Sequence, residues 1–100
     1  MLLRPAAGGR AVRQLVVRHA TPETLASLEP LLRRLKAIGS LREKTAGVFY
    51  LGSRAFLHFH EHDGAIFADV RLHPPDFDRL PVTTKTEQNL LVRSIREHLR

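Results

Sequence analysis

The dipeptide Asp63-Gly64, set between two runs of β-type residues, constrains this chain more than any other local feature. Asp-Gly readily takes the left-handed backbone of a two-residue hairpin turn, so Arg54 to Glu61 and Ala65 to Leu72 are expected to pair antiparallel. Gly52-Ser53 supplies a second turn signal, directly after Val48-Phe49-Tyr50-Leu51. Together the two turns predict a three-stranded antiparallel meander between about Ala46 and Leu72.

Two-residue turns fix the register, and the register fixes which side chains share a face. Leu51 is placed opposite Arg54, and Val48 opposite Leu57. On the other side of the middle strand, His62 falls opposite Ala65, Phe59 opposite Ala68, Leu57 opposite Val70 and His58 opposite Asp69. One face then gathers Val48, Tyr50, Leu57, Phe59, Ile66, Ala68, Val70 and Leu72, which is the expected core. The other gathers Phe49, Phe56, His58, His60, Phe67, Asp69 and Arg71, a mixture of aromatic and titratable groups.

Two leucine-striped segments are available to cover the apolar face. Thr21-Pro22-Glu23 reads as a helix start, with an N-cap oxygen, a proline at the first position and an early acid. Leu25, Leu28, Leu32 and Leu35 follow at helical spacing. Pro30 should kink that helix, or split it with Ser27 capping the second piece, and Gly39 should end it. Thr84-Lys85-Thr86-Glu87 matches the capping box of a second helix. Leu91, Ile95 and Leu99 form its stripe, with Arg93, Arg96 and Arg100 on another face. Three prolines between His73 and Val82 suggest a surface linker without regular structure.

The fold class expected is therefore α+β. It has a three-stranded antiparallel meander, four-stranded if Leu15 to Arg18 joins it, with N- and C-terminal helices packed on one face. Residues 1–10 hold Arg4 and Arg10 without an acid and read as a flexible basic arm, leaving 11–100 as a single domain. A chain of 100 residues has room for one core. The helix followed by Val48-Phe49-Tyr50-Leu51-Gly52-Ser53-Arg54-Ala55-Phe56 resembles the opening of the MmcQ/YjbR-like small bacterial domains. That likeness has no counterpart for the histidine-rich second strand and implies no site residue here.

Composition narrows the chemistry. No cysteine is present, which removes disulfides, thiolate nucleophiles and cysteine-based zinc sites, so any metal must rest on histidine and carboxylate. No apolar run approaches the roughly 20 residues of a membrane span, and a cytoplasmic protein without a membrane partner is expected. Sixteen Lys and Arg against ten Asp and Glu give a formal charge of +6, and most of the cations are Arg, whose planar fork suits phosphate.

Three functional readings stay open. His58 and His60 point the same way from one strand, with Cα atoms about 6.8 Å apart. Asp69, one strand over at about 5 Å, completes a His₂-carboxylate set suited to a divalent metal, zinc first. Such a set would activate water in a small metal-dependent enzyme, although no residue can be assigned a catalytic role. Without metal, the same pair serves as a base or, with Arg71, as a phosphate site; as a plain cross-strand pair it is worth under about 1 kcal/mol. Phe49, Phe56, Phe67 and Arg71 form a candidate ligand-binding patch, which also suits a homodimer interface. A small self-associating interaction module through this Phe/His face is the first expectation. The second is a non-specific nucleic-acid binder, with Arg93, Arg96 and Arg100 as contacts, helped by the arm and by Arg33, Arg34 and Lys36, and the metal-dependent enzyme is the third.

Overall fold

The computed structural model describes residues 18–100. The arm expected at residues 1–10 and most of the Leu15 to Arg18 segment lie outside them. Strand β1 (Arg18–His19) leads into helices α1 (Pro22–Ser27) and α2 (Glu29–Lys36). Strands β2 (Leu41–Thr45), β3 (Val48–Leu51), β4 (Arg54–His62), β5 (Ala65–His73) and β6 (Asp76–Pro81) follow, and helix α3 (Lys85–His98) closes the chain. The five strands form an antiparallel sheet in the order β2-β3-β4-β5-β6, and β1 pairs with the far end of β4. The α+β class holds, with helices before and after an antiparallel sheet. The expectation of three or four strands understates the sheet.

Both unexpected strands lie at its edges. β2 is mostly charged and buries only Leu41, and β6 reads Asp-Phe-Asp-Arg-Leu-Pro. Edge strands commonly bear charge and tolerate proline, since one of their sides needs no ladder partner. The segment read as an irregular linker thus pairs with β5 over Phe67↔Pro81, Ala68↔Leu80, Asp69↔Arg79 and Val70↔Asp78.

The turn between β4 and β5 follows from the sequence. Asp63 and Gly64 both have positive φ, 51° and 81°, as the tight hairpin requires. Every pair from Leu57↔Val70 to His62↔Ala65 stands as the two-residue turn dictates.

The β3–β4 hairpin departs from that rule. Leu51 pairs with Arg54 and Tyr50 with Ala55, but Phe49 pairs with Leu57, so Phe56 is an extra residue in β4. This bulge reverses the faces expected for β3. Phe49 is fully buried and Phe56 only 2% exposed, whereas Val48 and Tyr50 are half-buried. Tyr50 instead lies beneath Lys44, with Nζ 4.6 Å from the ring centre. Placing both large aromatic rings in the core gains far more apolar burial than one regular pair of ladder bonds would contribute.

Leu28, Leu31, Leu32 and Leu35 join Leu91, Val92 and Ile95 in one buried cluster with Phe49, Leu57, Phe59, Ala68 and Val70. Pro30 does split the first helix, at Leu28, but Ser27 does not cap the second piece. Its hydroxyl donates to Thr24 O at 2.6 Å, and Leu28 occupies the N-cap without a side-chain bond. α2 ends with Ala37 as its cap, two residues before Gly39. Thr21 caps α1, and Thr84 with Glu87 forms the reciprocal capping box of α3 at 3.1 and 2.9 Å. No described helix is long and apolar enough to cross a membrane.

The bulge yields a test on adjacent residues. Phe49→Ala is expected to destabilise the fold by about 3–5 kcal/mol, and Tyr50→Ala by about 1 kcal/mol, in urea unfolding. The opposite ranking would restore the regular register and move the bulge out of β4.

Candidate metal centre

The side of the sheet away from the leucine cluster is organised by rows of paired residues. One row runs His58↔Asp69↔Arg79 across β4, β5 and β6. The next runs His19↔His60↔Phe67↔Pro81 across β1, β4, β5 and β6. Strand alternation sends His58 and His60 to the same side, and the β1 pairing brings His19 beside them.

The three imidazoles form a compact group. His19 stacks on His60 with centroids 5.0 Å apart, His58 meets His60 edge-on at 4.9 Å, and His19 and His58 are 6.3 Å apart. One nitrogen from each ring lies within 4.8 Å of one from each of the others. Nitrogens sharing a tetrahedral zinc stand about 3.3 Å apart, from a zinc–nitrogen length of about 2.0–2.1 Å. To share one ion the nitrogens must close by up to about 1.5 Å. His58 Nδ1 is buried and has no hydrogen-bond partner among the described residues.

Asp69 is committed elsewhere. Its side chain is 11% exposed, and its Oδ2 accepts from His60 Nε2 at 2.8 Å. Arg79 grips the same carboxylate as a fork, Nε to Oδ1 at 2.8 Å and Nη2 to Oδ2 at 3.0 Å. The expected trio of His58, His60 and Asp69 therefore changes in two respects. Asp69 holds His60 rather than its cross-strand neighbour His58, and it stands behind the imidazoles with both oxygens occupied. Because a carboxylate only accepts, His60 Nε2 is a protonated nitrogen. A carboxylate behind a histidine is the usual device for fixing a ligand's tautomer and orientation. His19 occupies the place expected of Asp69.

Burial lowers the His58 pKa, and the neighbouring His60 and His19 add to the effect, against a partial opposing pull from Asp69. Burial alone would raise the Asp69 pKa. The Arg79 hydrogen bond and the nearby His60 and Arg79 charges outweigh it, and Asp69 lies below the usual carboxylate value. Arg79 is in turn held above its ordinary value by Asp69. A neutral His58 beside an ionised Asp69 is the protonation state that metal ligation requires.

The other expected site residues are dispersed. Phe49 and Phe56 sit in the core for the reason given above, so the three-phenylalanine patch does not form. Phe67 is half-buried on the histidine side. Arg71 donates from Nε to Ala55 O at 3.1 Å and from Nη1 to Pro75 O, and it stacks 4.2 Å over Phe77. Phe77 in turn meets His58 edge-on at 5.1 Å. His62 follows His60 on the strand but sits at the hairpin end, 3.5 Å from Asp63. Arg93 and Arg96 belong to α3, whose apolar stripe joins the core cluster, and Arg100 follows just past its end; all three are exposed and apart from this centre.

Two members escaped the sequence reading. Arg79 lay in the presumed linker. His19 is distant in sequence and held by a two-residue strand, where only the ambiguous Leu15-Val16-Val17 run pointed to pairing.

Comparison with known proteins finds no matching family model, no significantly similar curated protein and no significantly similar solved structure. The likeness of the first helix and hairpin to the MmcQ/YjbR-like domains gains no support.

Both lowered pKa values act in the same direction on stability. The unfolded chain takes up each proton first as pH falls, so the His58 contribution is present above about pH 6.5 and lost as pH falls through its folded value. The Asp69 contribution is present above about pH 4 and lost below it in the same way. The Tm of metal-stripped protein is expected to fall between pH 7 and 5.5, and less steeply in His58→Gln. Parallel profiles for the two proteins would show that His58 is not desolvated in the fold.

Proposed function

We propose that this chain is a small divalent-metal-binding module, zinc first, with His19, His58 and His60 as ligands. The observation that supports it is the convergence of three imidazoles from two paired strands on one side of a sheet. Nitrogen ligands of this kind suit zinc, copper, nickel or iron better than magnesium or calcium.

Asp69 and Arg79 supply the outer support. The Arg79 fork fixes the carboxylate, and the carboxylate fixes the His60 ring before any ion arrives. Three protein ligands leave a fourth tetrahedral position for water or a bound molecule, the arrangement found where zinc acts as a Lewis acid. Phe77 packs edge-on against His58, with Arg71 stacked over it. The metal-dependent enzyme is the form of this proposal in which that position turns over a substrate. Self-association through the sheet face relied on three phenylalanines standing together, and with two of them in the core it is not the reading favoured here.

Calorimetric titration of the metal-stripped full chain with zinc chloride, and separately with manganese chloride, tests the proposal. One equivalent of zinc is expected to bind, with manganese weaker. His19→Ala and His58→Ala are expected to abolish binding, and Asp69→Asn to weaken it about 10- to 100-fold. No zinc binding, or binding that survives both histidine substitutions, would overturn it.

A further inference from the structure

We propose that the outer face of α3, together with Arg34 of α2, is a docking surface for the phosphate backbone of a duplex nucleic acid, bound without regard to sequence. Arg34, Arg93, Arg96 and Arg100 line a shallow groove with Asn89 and Glu97. Four guanidinium groups thus face one carboxylate.

The other two cations of α2 are compensated within the fold. Arg33 is paired with Glu29 at 3.0 Å and Lys36 with Glu43 at 3.3 Å, so neither is uncompensated. Among the described residues Arg34 bonds a neutral partner, Asn89 Oδ1, at 2.6 Å, which places it against α3 with its charge intact. Arg93, Arg96 and Arg100 are exposed and make no ion pair or hydrogen bond among the described residues. The helix macrodipole favours cations in the last turn, which accounts for Arg96. It does not account for Arg93 or for an arginine on a second helix.

The spacing suits a phosphate row. Arg93 and Arg96 stand about one turn apart on α3, about 4.5 Å along its axis, and Arg100 follows just past the helix end. One strand of a duplex presents a phosphate about every 3.4 Å of its axis, so the two helical guanidinium groups match neighbouring phosphates.

Other occupants fit less well. A membrane-surface helix needs an apolar side to insert, but Leu91, Val92 and Ile95 are in the core, and only Leu90 is exposed. A protein interface is usually anchored by aromatic or aliphatic side chains, and the groove's one apolar lining residue, Val92, is already buried in the core. Unpaired bases would require aromatic platforms, and no lining residue is aromatic. What remains is charge complementarity to a regular polyanion.

Fluorescence anisotropy of labelled 20-base-pair DNA and RNA duplexes, titrated with the full chain across a salt series, tests this. Log affinity is expected to fall steeply with log salt for at least one duplex, equally for unrelated sequences. The triple variant Arg93→Gln, Arg96→Gln, Arg100→Gln should flatten that slope by about 2.7, from about 0.9 per phosphate contact. Its Tm and its zinc titration should stay as in the parent chain, which keeps this outcome separate from that of the metal site. A charge-matched control, Arg42→Gln, Lys44→Gln, Arg54→Gln, should keep most of the slope. The proposal is overturned if the control loses as much as the triple variant, which would make net charge the cause. It is equally overturned if binding follows Arg4, Arg10 and Arg13 instead, or if only anionic phosphatidylserine vesicles, and neither duplex, are bound.

Discussion

Strand β4 is flanked on both sides, by β3 and then β1 on one and by β5 on the other. A central strand of this kind cannot slip by one residue without exchanging its two faces. Leu57 and Phe59 are thereby committed to the core and His58 and His60 to the opposite side. The remaining elements take their places from it. β5 contributes Ala68 and Val70 to the core and Asp69 to the histidines, and α2 and α3 lie where their leucines meet that core. The bulge at Phe56 lets β4 serve two registers, regular toward β5 and offset toward β3.

Much of this was legible because it rests on local backbone chemistry. The Asp63-Gly64 turn and the Thr84 capping box are decided by a few adjacent residues, and the structure shows both where the sequence puts them. Features set by tertiary packing were not legible. Whether Phe49 or Val48 faces inward depends on the volume the helices leave to fill, and alternation alone cannot report a bulge. The strand at Asp76–Pro81 is hidden by prolines that an edge position tolerates. The metal candidate was half visible. His58 and His60 share a strand and announce themselves by spacing, whereas His19 and Arg79 arrive through pairings of short or irregular segments. Asp69 was found by register, but its partner was not. The carboxylate meets His60 diagonally and Arg79 across the next strand, a choice of side-chain reach that register does not specify.

The Asp69 network has an energetic logic of its own. An ionised carboxylate this deeply placed is unfavourable unless its oxygens are satisfied, and here each accepts from Arg79 while one also accepts from His60. The arrangement has a second effect. Because both oxygens are used, the carboxylate is not free to swing toward His58, and the imidazoles keep distinct roles despite being close neighbours.

Among the described residues, β1 is held to the sheet by two residue pairs, and it brings in His19. Between His19 and His58 the chain forms α1, α2, β2 and β3, the larger part of the first half of the described fold. A ligand joining those two rings ties this whole stretch into a closed loop, much as a disulfide would in a chain that has no cysteine. The loss of loop entropy falls on the unfolded chain, and it grows slowly with the length enclosed. Such a clasp is reversible. How firmly the start of the sheet stays fastened would then follow the concentration of whatever bridges it.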